Sequence, residues 1–191
     1  MVGLINITKT PNHNSKRKMT KRKVIRLTIF LAIAGLLTYY FYPGNNLPND
    51  LQIDNIIVYK SNREMSVFSN GKLLKTYKVS LGRQPNGHKQ FEGDRKTPEG
   101  IYFINDKNPK SGYHKNLGIS YPNKNDMENA KQFGKSAGGD IKIHGLRNGI
   151  GFVGKFHRWF DWTLGCIAVT DKEIDELYNA VKIGTRIEIK R

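Results

Sequence analysis

The 191-residue sequence contains only one cysteine, Cys166, and only two tryptophans. Because a second cysteine is lacking, no intrachain disulfide can form, and Cys166 is buried, reactive or paired with another molecule. Histidines, the cysteine and carboxylates nowhere show the spacing of metal ligands, so we predict neither a metal nor another cofactor. Acidic residues are absent from the first 26 positions, which hold eight lysines and arginines. Half of the net charge of +16 therefore lies at the amino-terminal end.

So large an excess of positive charge raises the question of a nucleic-acid partner. No recognised nucleic-acid module follows the basic cluster, and an apolar run adjoins it instead, so we predict no nucleic-acid binding. The positive charge on the rest of the chain suits either an anionic polymer or an ordinary surface of solvated lysines.

The one long apolar run, residues 24–42, follows directly on the basic residues. Nineteen helical residues at about 1.5 Å each come close to the roughly 30 Å of a membrane's hydrocarbon core. Positive charge stays on the cytoplasmic side, so the pattern predicts a cytoplasmic tail, residues 1–23, and a single-pass transmembrane anchor or signal-anchor. A cleaved signal peptide is the alternative, because Ala32-Ile33-Ala34 has the small residues of a cleavage site.

Beyond a linker dense in proline, glycine and asparagine, residues 43–52, the pattern becomes that of a folded domain, residues 53–191. Short apolar and alternating segments predict strands, and Asn70-Gly71 predicts a tight hairpin turn. Residues 105–116 are polar and predict a loop. In the charged turn before that loop we expect Asp94 to be solvated.

A capping box at Thr170–Glu173 predicts the start of an amphipathic helix. Apolar residues at helical spacing continue it through Val181, and Gly184 marks its end. Many short strands with one or two helices predict a mainly β domain, a sandwich or barrel-like fold, preceded by the transmembrane helix.

Cys166 follows a glycine, and a thiolate there is a candidate nucleophile for carbonyl carbon. Gly165 has no Cβ, which allows its backbone N–H to serve as an oxyanion donor. Thr163 offers a hydroxyl two residues earlier, and we place it among the substrate-binding residues.

Residues 140–144 predict a strand that ends at His144, ahead of Gly145. A histidine with an ordinary pKa near 6.5 takes a thiol proton around neutral pH, so His144 is the candidate general base. His157 is its rival, and the Gly145 carbonyl is a candidate for orienting the imidazole.

An aromatic-rich segment, residues 156–162, precedes the cysteine. Its last member, Trp162, is a candidate substrate contact, and ordinary core packing is the alternative for these rings. Arg147 and Arg158 are candidate anchors for a substrate carboxylate, since a guanidinium group binds a carboxylate through two hydrogen bonds.

The pair His144-Gly145 followed by Thr163-Leu164-Gly165-Cys166 resembles the signature of the L,D-transpeptidase catalytic domain, also called the YkuD domain. The resemblance extends over residues 56–191, and it includes the segment 93–100. It is closest to the murein transpeptidase branch, whose motif continues as residues 165–170 do here.

Two positions depart from the family pattern. Leu164 stands where the family often has a second histidine, and Ala168 stands where it often has arginine or asparagine. These departures concern substrate contacts, and they leave open a wall-binding module without catalytic activity.

The resemblance implies a mainly β L,D-transpeptidase fold and a partner, the peptidoglycan stem peptide. It implies that Cys166 forms a thioester acyl-enzyme, followed by transfer to an amine that crosslinks the cell wall. A carboxypeptidase, in which water replaces the amine, is the alternative, whereas a papain-like protease would place its cysteine before its histidine. The implied location is the bacterial inner membrane, with the catalytic domain on the periplasmic side.

Overall fold

The computed structural model describes residues 20–48 and 50–191. The chain divides into two compact units, Met1–Tyr42 and Pro43–Arg191. Of the predicted cytoplasmic tail, residues 1–19 lie outside the described residues.

The first unit contains helix α1, Lys21–Phe41, which is long and apolar enough to cross a membrane. The hydroxyls of Thr28 and Thr38 donate to the carbonyls of Val24 and Ala34, at 3.1 and 2.8 Å. These polar groups are therefore satisfied within the helix, as a lipid environment requires. Helix α1 overlaps the predicted span, residues 24–42.

Within residues 50–191 the second unit contains eight strands, two α-helices and two 3₁₀ segments. The strands are β1 (Ile53–Tyr59), β2 (Glu64–Ser69), β3 (Lys72–Lys78), β4 (Gly100–Ser111), β5 (His114–Ile119), β6 (Lys142–His144), β7 (Ile167–Ala168) and β8 (Val181–Lys190). The helices are α2 (Lys124–Gln132) and α3 (Asp171–Ala180), and the 3₁₀ segments are Lys60–Asn62 and Gly151–Trp159.

The strands form one mixed sheet in the order β3-β2-β1-β8-β4-β5-β6-β7. Two neighbouring pairs, β1 with β8 and β6 with β7, are parallel, and the other named pairs are antiparallel. The sheet forms a half-barrel with few helices, which confirms the prediction of a mainly β, barrel-like domain.

The core follows from alternation along the central strands, which directs every second side chain to the same face. Ile56 and Val58 of β1 and Ile187 of β8 are completely buried. Ile174 and Leu177, three residues apart on one face of α3, belong to the same core and are also completely buried.

A long hairpin of β4 and β5 occupies the segment 105–116, for which the sequence predicts a loop. Strand β4 pairs with β8 through residues 100–103 and with β5 through the rest of its length. The prediction is wrong because residues 105–110 of β4 keep their side chains exposed or half-exposed and therefore lack apolar alternation. This part of β4 is held by backbone pairing with β5 and by Lys107, which donates to the carbonyls of Tyr178 and Val181, and neither leaves a hydrophobic pattern in the sequence.

Helix α3 ends at Ala180, and Val181 begins β8 instead of closing the helix. Val181 is completely buried and pairs with Ile53 of β1. A buried valine suits either state, so the helical spacing alone cannot separate them. Gly184, with φ +88°, lies in the irregular part of β8 that follows and not at a helix end.

Candidate functional site

The two candidate catalytic residues lie on neighbouring strands. His144 ends β6, and Cys166 immediately precedes β7, which runs parallel to β6. The register places Ile143 opposite Ile167, and both isoleucines are completely buried. Because side chains alternate along a strand, His144 and Cys166 lie together on the opposite face from these isoleucines. Both residues line one cleft.

Thr163 ties together the turn that carries the cysteine. Its hydroxyl donates to the Cys166 carbonyl (2.8 Å) and accepts a hydrogen bond from the Gly165 N–H (3.1 Å). Thr163 is 4% exposed but lines the cleft, so its hydroxyl shapes the turn, and its contact with substrate stays a prediction. The Gly165 N–H is likewise engaged, whereas the Cys166 N–H has no hydrogen-bond partner within residues 50–191.

Gly165 is required where the cysteine turn meets the backbone of a neighbouring loop. Its φ is +138°, and a Cβ there would lie 2.7 Å from the carbonyl oxygen of Lys96. A side chain at this position would therefore force the two backbones apart. Close packing of the two backbones therefore accounts for this glycine.

His144 is 5% exposed, and its Nδ1 lies 2.7 Å from the carbonyl oxygen of Gly145. A carbonyl oxygen only accepts hydrogen bonds, so this contact assigns the ring proton to Nδ1 and leaves a lone pair on Nε2. Burial lowers the pKa of His144, the hydrogen bond to Gly145 opposes this effect, and the charge of Lys142 adds to it. At neutral pH the imidazole is therefore neutral.

Asp171 holds the peptide group that accepts this hydrogen bond. The N–H of Leu146 belongs to the same peptide as the Gly145 carbonyl, and it donates to Asp171 Oδ1 at 2.7 Å. This contact was not predicted from the sequence. Leu146 and Asp171 are 25 residues apart, and the only local pattern around Asp171 is the capping box at the start of α3.

The thiol of Cys166 is half-buried, and its Sγ lies 3.5 Å from the carbonyl oxygen of Asp140. Burial raises the pKa of this thiol, and the backbone N–H and the charge of Lys142 only partly oppose the rise. The resting cysteine is therefore protonated and needs a base to become a nucleophile.

Two aromatic rings flank the imidazole of His144. The ring centroids of Tyr113 and Trp162 lie 4.6 and 5.7 Å from that of His144, and both residues line the cleft. The indole N–H of Trp162 donates to His157 Nδ1 at 3.4 Å. Trp162 thus packs edge-on against His144, and its indole nitrogen is directed to a second histidine, His157.

That second histidine, the rival base His157, is 3% exposed and is not among the residues that line the cleft. Its Nδ1 also lies 3.1 Å from the hydroxyl of Ser80. Burial is the main reason that the pKa of His157 falls to about 4, and the charge of Arg158 adds to the fall. The structure places His157 behind Trp162 as a buried support.

The cleft has a volume of about 1110 Å³ and an electropositive wall. Six basic and two acidic side chains line it: Arg83, Lys89, Arg95, Lys110, Lys142 and Arg147, with Glu92 and Asp140. Lys89 pairs with Asp94 (2.8 Å) and Lys142 with Asp140 (3.4 Å). The other four basic residues are exposed, and none of them forms an ion pair with another described residue.

Arg147 and Arg158, the two predicted carboxylate anchors, have different surroundings. Arg147 is one of the four exposed cleft residues without an ion pair among the described residues. The guanidinium of Arg158 instead donates to both carboxylate oxygens of Glu173, at 2.6 Å each, away from the cleft. Of these two arginines, therefore, only Arg147 is available to a substrate in the cleft.

Asn116 is a cleft residue that sequence reasoning missed, because it falls in the segment predicted as a loop. It is 4% exposed and lies on β5 directly opposite His144. Its Oδ1 is buried and has no hydrogen-bond partner in the part of the chain that the structure describes. A buried acceptor of this kind suits the N–H of a bound peptide.

Asp94 organises the loop that packs against the cysteine turn. Its carboxylate accepts hydrogen bonds from Lys89 Nζ (2.8 Å) and from the backbone N–H groups of Gln90 and Lys96. Burial would raise the pKa of Asp94, but these hydrogen bonds and the charge of Lys89 hold it below its ordinary value. The expectation of a solvated side chain is wrong, since the carboxylate is only 6% exposed.

Among residues 20–48 and 50–191, no group of three or more histidine, cysteine or acidic side chains has the arrangement of a metal site.

Comparison with known proteins supports the sequence resemblance. The family model of the L,D-transpeptidase catalytic domain, YkuD, matches residues 54–189. The Escherichia coli protein YafK is 30% identical over 132 residues, which are 66% of this chain and 46% of YafK. The helical cell shape determining protein Pgp2 from Campylobacter jejuni has a crystal structure with 25% identity and a TM-score of 0.55, covering 78% of this chain and 52% of Pgp2. Bd1075 from Bdellovibrio bacteriovorus is 26% identical with a TM-score of 0.51, covering 76% of this chain and 50% of Bd1075. The chain thus spans about half the length of each of these three relatives.

Proposed function

Because this chain belongs to the L,D-transpeptidase catalytic domain (YkuD) family, we propose that it is a cysteine-dependent L,D-transpeptidase of peptidoglycan stem peptides. Cys166 is the proposed nucleophile and His144 the proposed general base. One observation carries this proposal: a neutral imidazole, with its proton held at Nδ1 by the Gly145 carbonyl, shares a cleft with the only thiol of the chain.

The first half of the proposed reaction transfers an acyl group to the enzyme. His144 Nε2 takes the proton of the Cys166 thiol, and the thiolate attacks the carbonyl carbon of the donor peptide bond. The imidazolium then gives this proton to the leaving amine as the C–N bond breaks. The donor remains bound to the sulfur as a thioester.

The second half releases the acyl group to an acceptor. The acceptor amine attacks the thioester carbonyl, His144 removes a proton from that nitrogen, and the C–S bond breaks. The same proton returns to the sulfur, so a new peptide bond and the free thiol are the products.

Negative charge develops on the carbonyl oxygen in both halves. The Cys166 N–H is the proposed donor to this oxyanion, because the Gly165 N–H is already bound by the Thr163 hydroxyl. A single donor of this kind contributes about 3 kcal/mol to the transition state.

The electropositive wall of the cleft supports a substrate that carries carboxylates. Arg147 is the proposed anchor for a carboxylate of the stem peptide, because its guanidinium is exposed at the cleft and forms no ion pair among the described residues. Trp162 is proposed as an apolar wall for the peptide, and the Asn116 Oδ1 as an acceptor for a peptide N–H.

We further propose that α1 anchors the domain to the bacterial inner membrane, with the domain on the periplasmic side. Pgp2 is named as a determinant of helical cell shape. A role in crosslinking or remodelling the cell wall, with an influence on cell shape, is proposed for this chain on that likeness.

The test is to incubate the full-length protein in detergent micelles with disaccharide-tetrapeptide muropeptides, followed by mass spectrometry of products and intact protein. We expect an acyl adduct on the wild type and dimeric muropeptides. Because Cys166 is the only thiol, Cys166→Ala must abolish the adduct. His144→Gln should abolish it too, whereas His88→Gln, which alters a histidine outside the cleft, should keep it.

Other products would indicate a different function. Tripeptides without dimers would identify a carboxypeptidase that uses the same thioester. Unchanged muropeptides and no adduct would contradict the catalytic proposal and favour a wall-binding module.

A further inference from the structure

Three groups lie in series behind the proposed base. The Nδ1–H of His144 donates to the Gly145 carbonyl at 2.7 Å, and the Leu146 N–H donates to Asp171 Oδ1 at 2.7 Å. The carbonyl and the N–H are the two ends of one peptide group. A carboxylate is therefore connected to the imidazole through a single intervening peptide.

We propose that Asp171 is a positioning residue for His144 and acts on it through the 145–146 peptide, an inference that rests on the proposed function. A carboxylate that accepts from the N–H end polarises the peptide and makes its carbonyl oxygen a stronger acceptor. The stronger acceptor fixes the ring orientation and favours the imidazolium that forms when the thiol loses its proton. The Nδ1 proton stays on Nδ1, and Asp171 acts through the peptide without exchanging a proton with the imidazole.

The surroundings of Asp171 keep its carboxylate in this place. A Cβ on Gly145 would lie 2.7 Å from Oδ1, and a Cβ on Gly151 would overlap Oδ2. Both glycines therefore allow backbone to approach the carboxylate directly.

The carboxylate of Asp171 is not the cap of its own helix. The capping box of α3 consists of Thr170 and Glu173, whose side chains exchange hydrogen bonds with each other's backbone N–H groups. The hydrogen bond from the Leu146 N–H is therefore a contact of Asp171 that the cap does not require. The position of Asp171 at the start of α3 connects the helix to the proposed catalytic strand β6.

Asp171→Asn is the most specific test, because asparagine keeps the size of the side chain and an acceptor oxygen but lacks the negative charge. We expect kcat/KM for the thioester reaction to fall by about tenfold, the lower end of the loss found when the hydrogen-bond partner of a metal-bound histidine is altered. Removing a negative charge destabilises the imidazolium, so the pH at which His144 becomes protonated should fall by about half a pH unit. The acid limb of the rate profile should move to lower pH by the same amount.

The measurement is an NMR titration of histidine-labelled full-length protein in detergent micelles, with the His144 signal assigned by its loss in His144→Gln. Asp175→Asn is the matched control. It removes the same charge from the same helix, but Asp175 contacts His114 and Lys115 instead of the 145–146 peptide. In Asp175→Asn, the midpoint of the His144 titration should equal that of the wild type.

Two results would overturn the inference: a His144 titration in Asp171→Asn equal to that of the wild type, or an equal shift in Asp175→Asn. A loss of activity in Asp171→Asn without a shift in the titration would assign Asp171 a structural role only. The titration needs no substrate, so it tests Asp171 even if the wild type fails to acylate. Failure of the wild type to acylate would instead refute the proposed function.

Discussion

His144 is buried and Cys166 is half-buried, and burial shifts their pKa values in opposite directions. The pKa of His144 is lowered and that of Cys166 is raised, because each environment disfavours the charged form. The resting pair is therefore a neutral imidazole and a neutral thiol. In the proposed reaction, proton transfer therefore accompanies attack on the substrate, in contrast to a preformed thiolate–imidazolium pair.

Alkylation of Cys166 by iodoacetamide tests this protonation state, because thiolate is the reacting form and the chain has one thiol. With the pKa of the thiol raised, the alkylation rate of the native protein should keep rising with pH beyond the midpoint found in urea. Intact-mass spectrometry against time, from pH 5 to pH 10, measures the rate. A plateau of fast alkylation below pH 7 would reveal an ion pair and contradict the prediction.

At the scale of elements, the proposed catalytic turn depends on a neighbouring loop. The carbonyl of Lys96 packs against Gly165, and the Asp94 carboxylate binds the Lys96 N–H from within that loop. The ion pair of Asp94 with Lys89 is buried, with side-chain exposures of 6% and 4%. Removing one partner of such a pair leaves the other charge buried without compensation.

Asp94→Asn should therefore lower the free energy of unfolding by about 3 kcal/mol. Glu64→Gln is the matched control, since its ion pair with Lys78 has side-chain exposures of 29% and 58% and should contribute less than about 1 kcal/mol. Urea unfolding of the full-length protein in detergent, followed by circular dichroism, measures both. Equal effects of the two substitutions would contradict a structural role for the buried pair.

The pH dependence of the same pair has a definite sign. Because the pKa of Asp94 in the folded protein lies below its ordinary value of 3.8, the stabilisation is complete above that pH. It is lost as the pH falls through the lower pKa of the folded state. The stability difference between the wild type and Asp94→Asn should therefore shrink only below about pH 4.

At the scale of the whole molecule, the chain combines an apolar helix with a domain that has its own core. The helix α1 carries its basic residues in the first turns and lacks acidic residues. This arrangement predicts a cytoplasmic amino terminus and export of the rest of the chain.

If α1 is an uncleaved anchor, the full 21.8 kDa chain should remain in the membrane fraction after high-salt and alkaline carbonate washes. The double variant Leu31→Arg, Leu36→Arg should lose this retention, because each charge near the middle of a span costs about 3 kcal/mol. Fractionation with immunoblotting and intact-mass spectrometry measures both. A soluble product that has lost its first 30 to 40 residues would instead identify α1 as a cleaved signal peptide.

Local patterns were enough to predict much of this protein. The apolar run, the Asn70-Gly71 hairpin and the capping box at Thr170 act between residues that are close in the chain, so each leaves a readable signal. The motif around His144 and Cys166 identified the family, which the family model confirms over residues 54–189.

Only the tertiary structure decided how the site is supported. The pairing of β4 with β5, the orphan oxygen of Asn116 and the burial of Asp94 depend on segments that meet through folding. The contact of Asp171 with the 145–146 peptide spans 25 residues. Such contacts are hydrogen bonds and close backbone approaches, which require a particular geometry but impose no periodic pattern on the sequence. The sequence by itself therefore determined the family and the candidate site residues, and the fold decided which groups hold these residues in place.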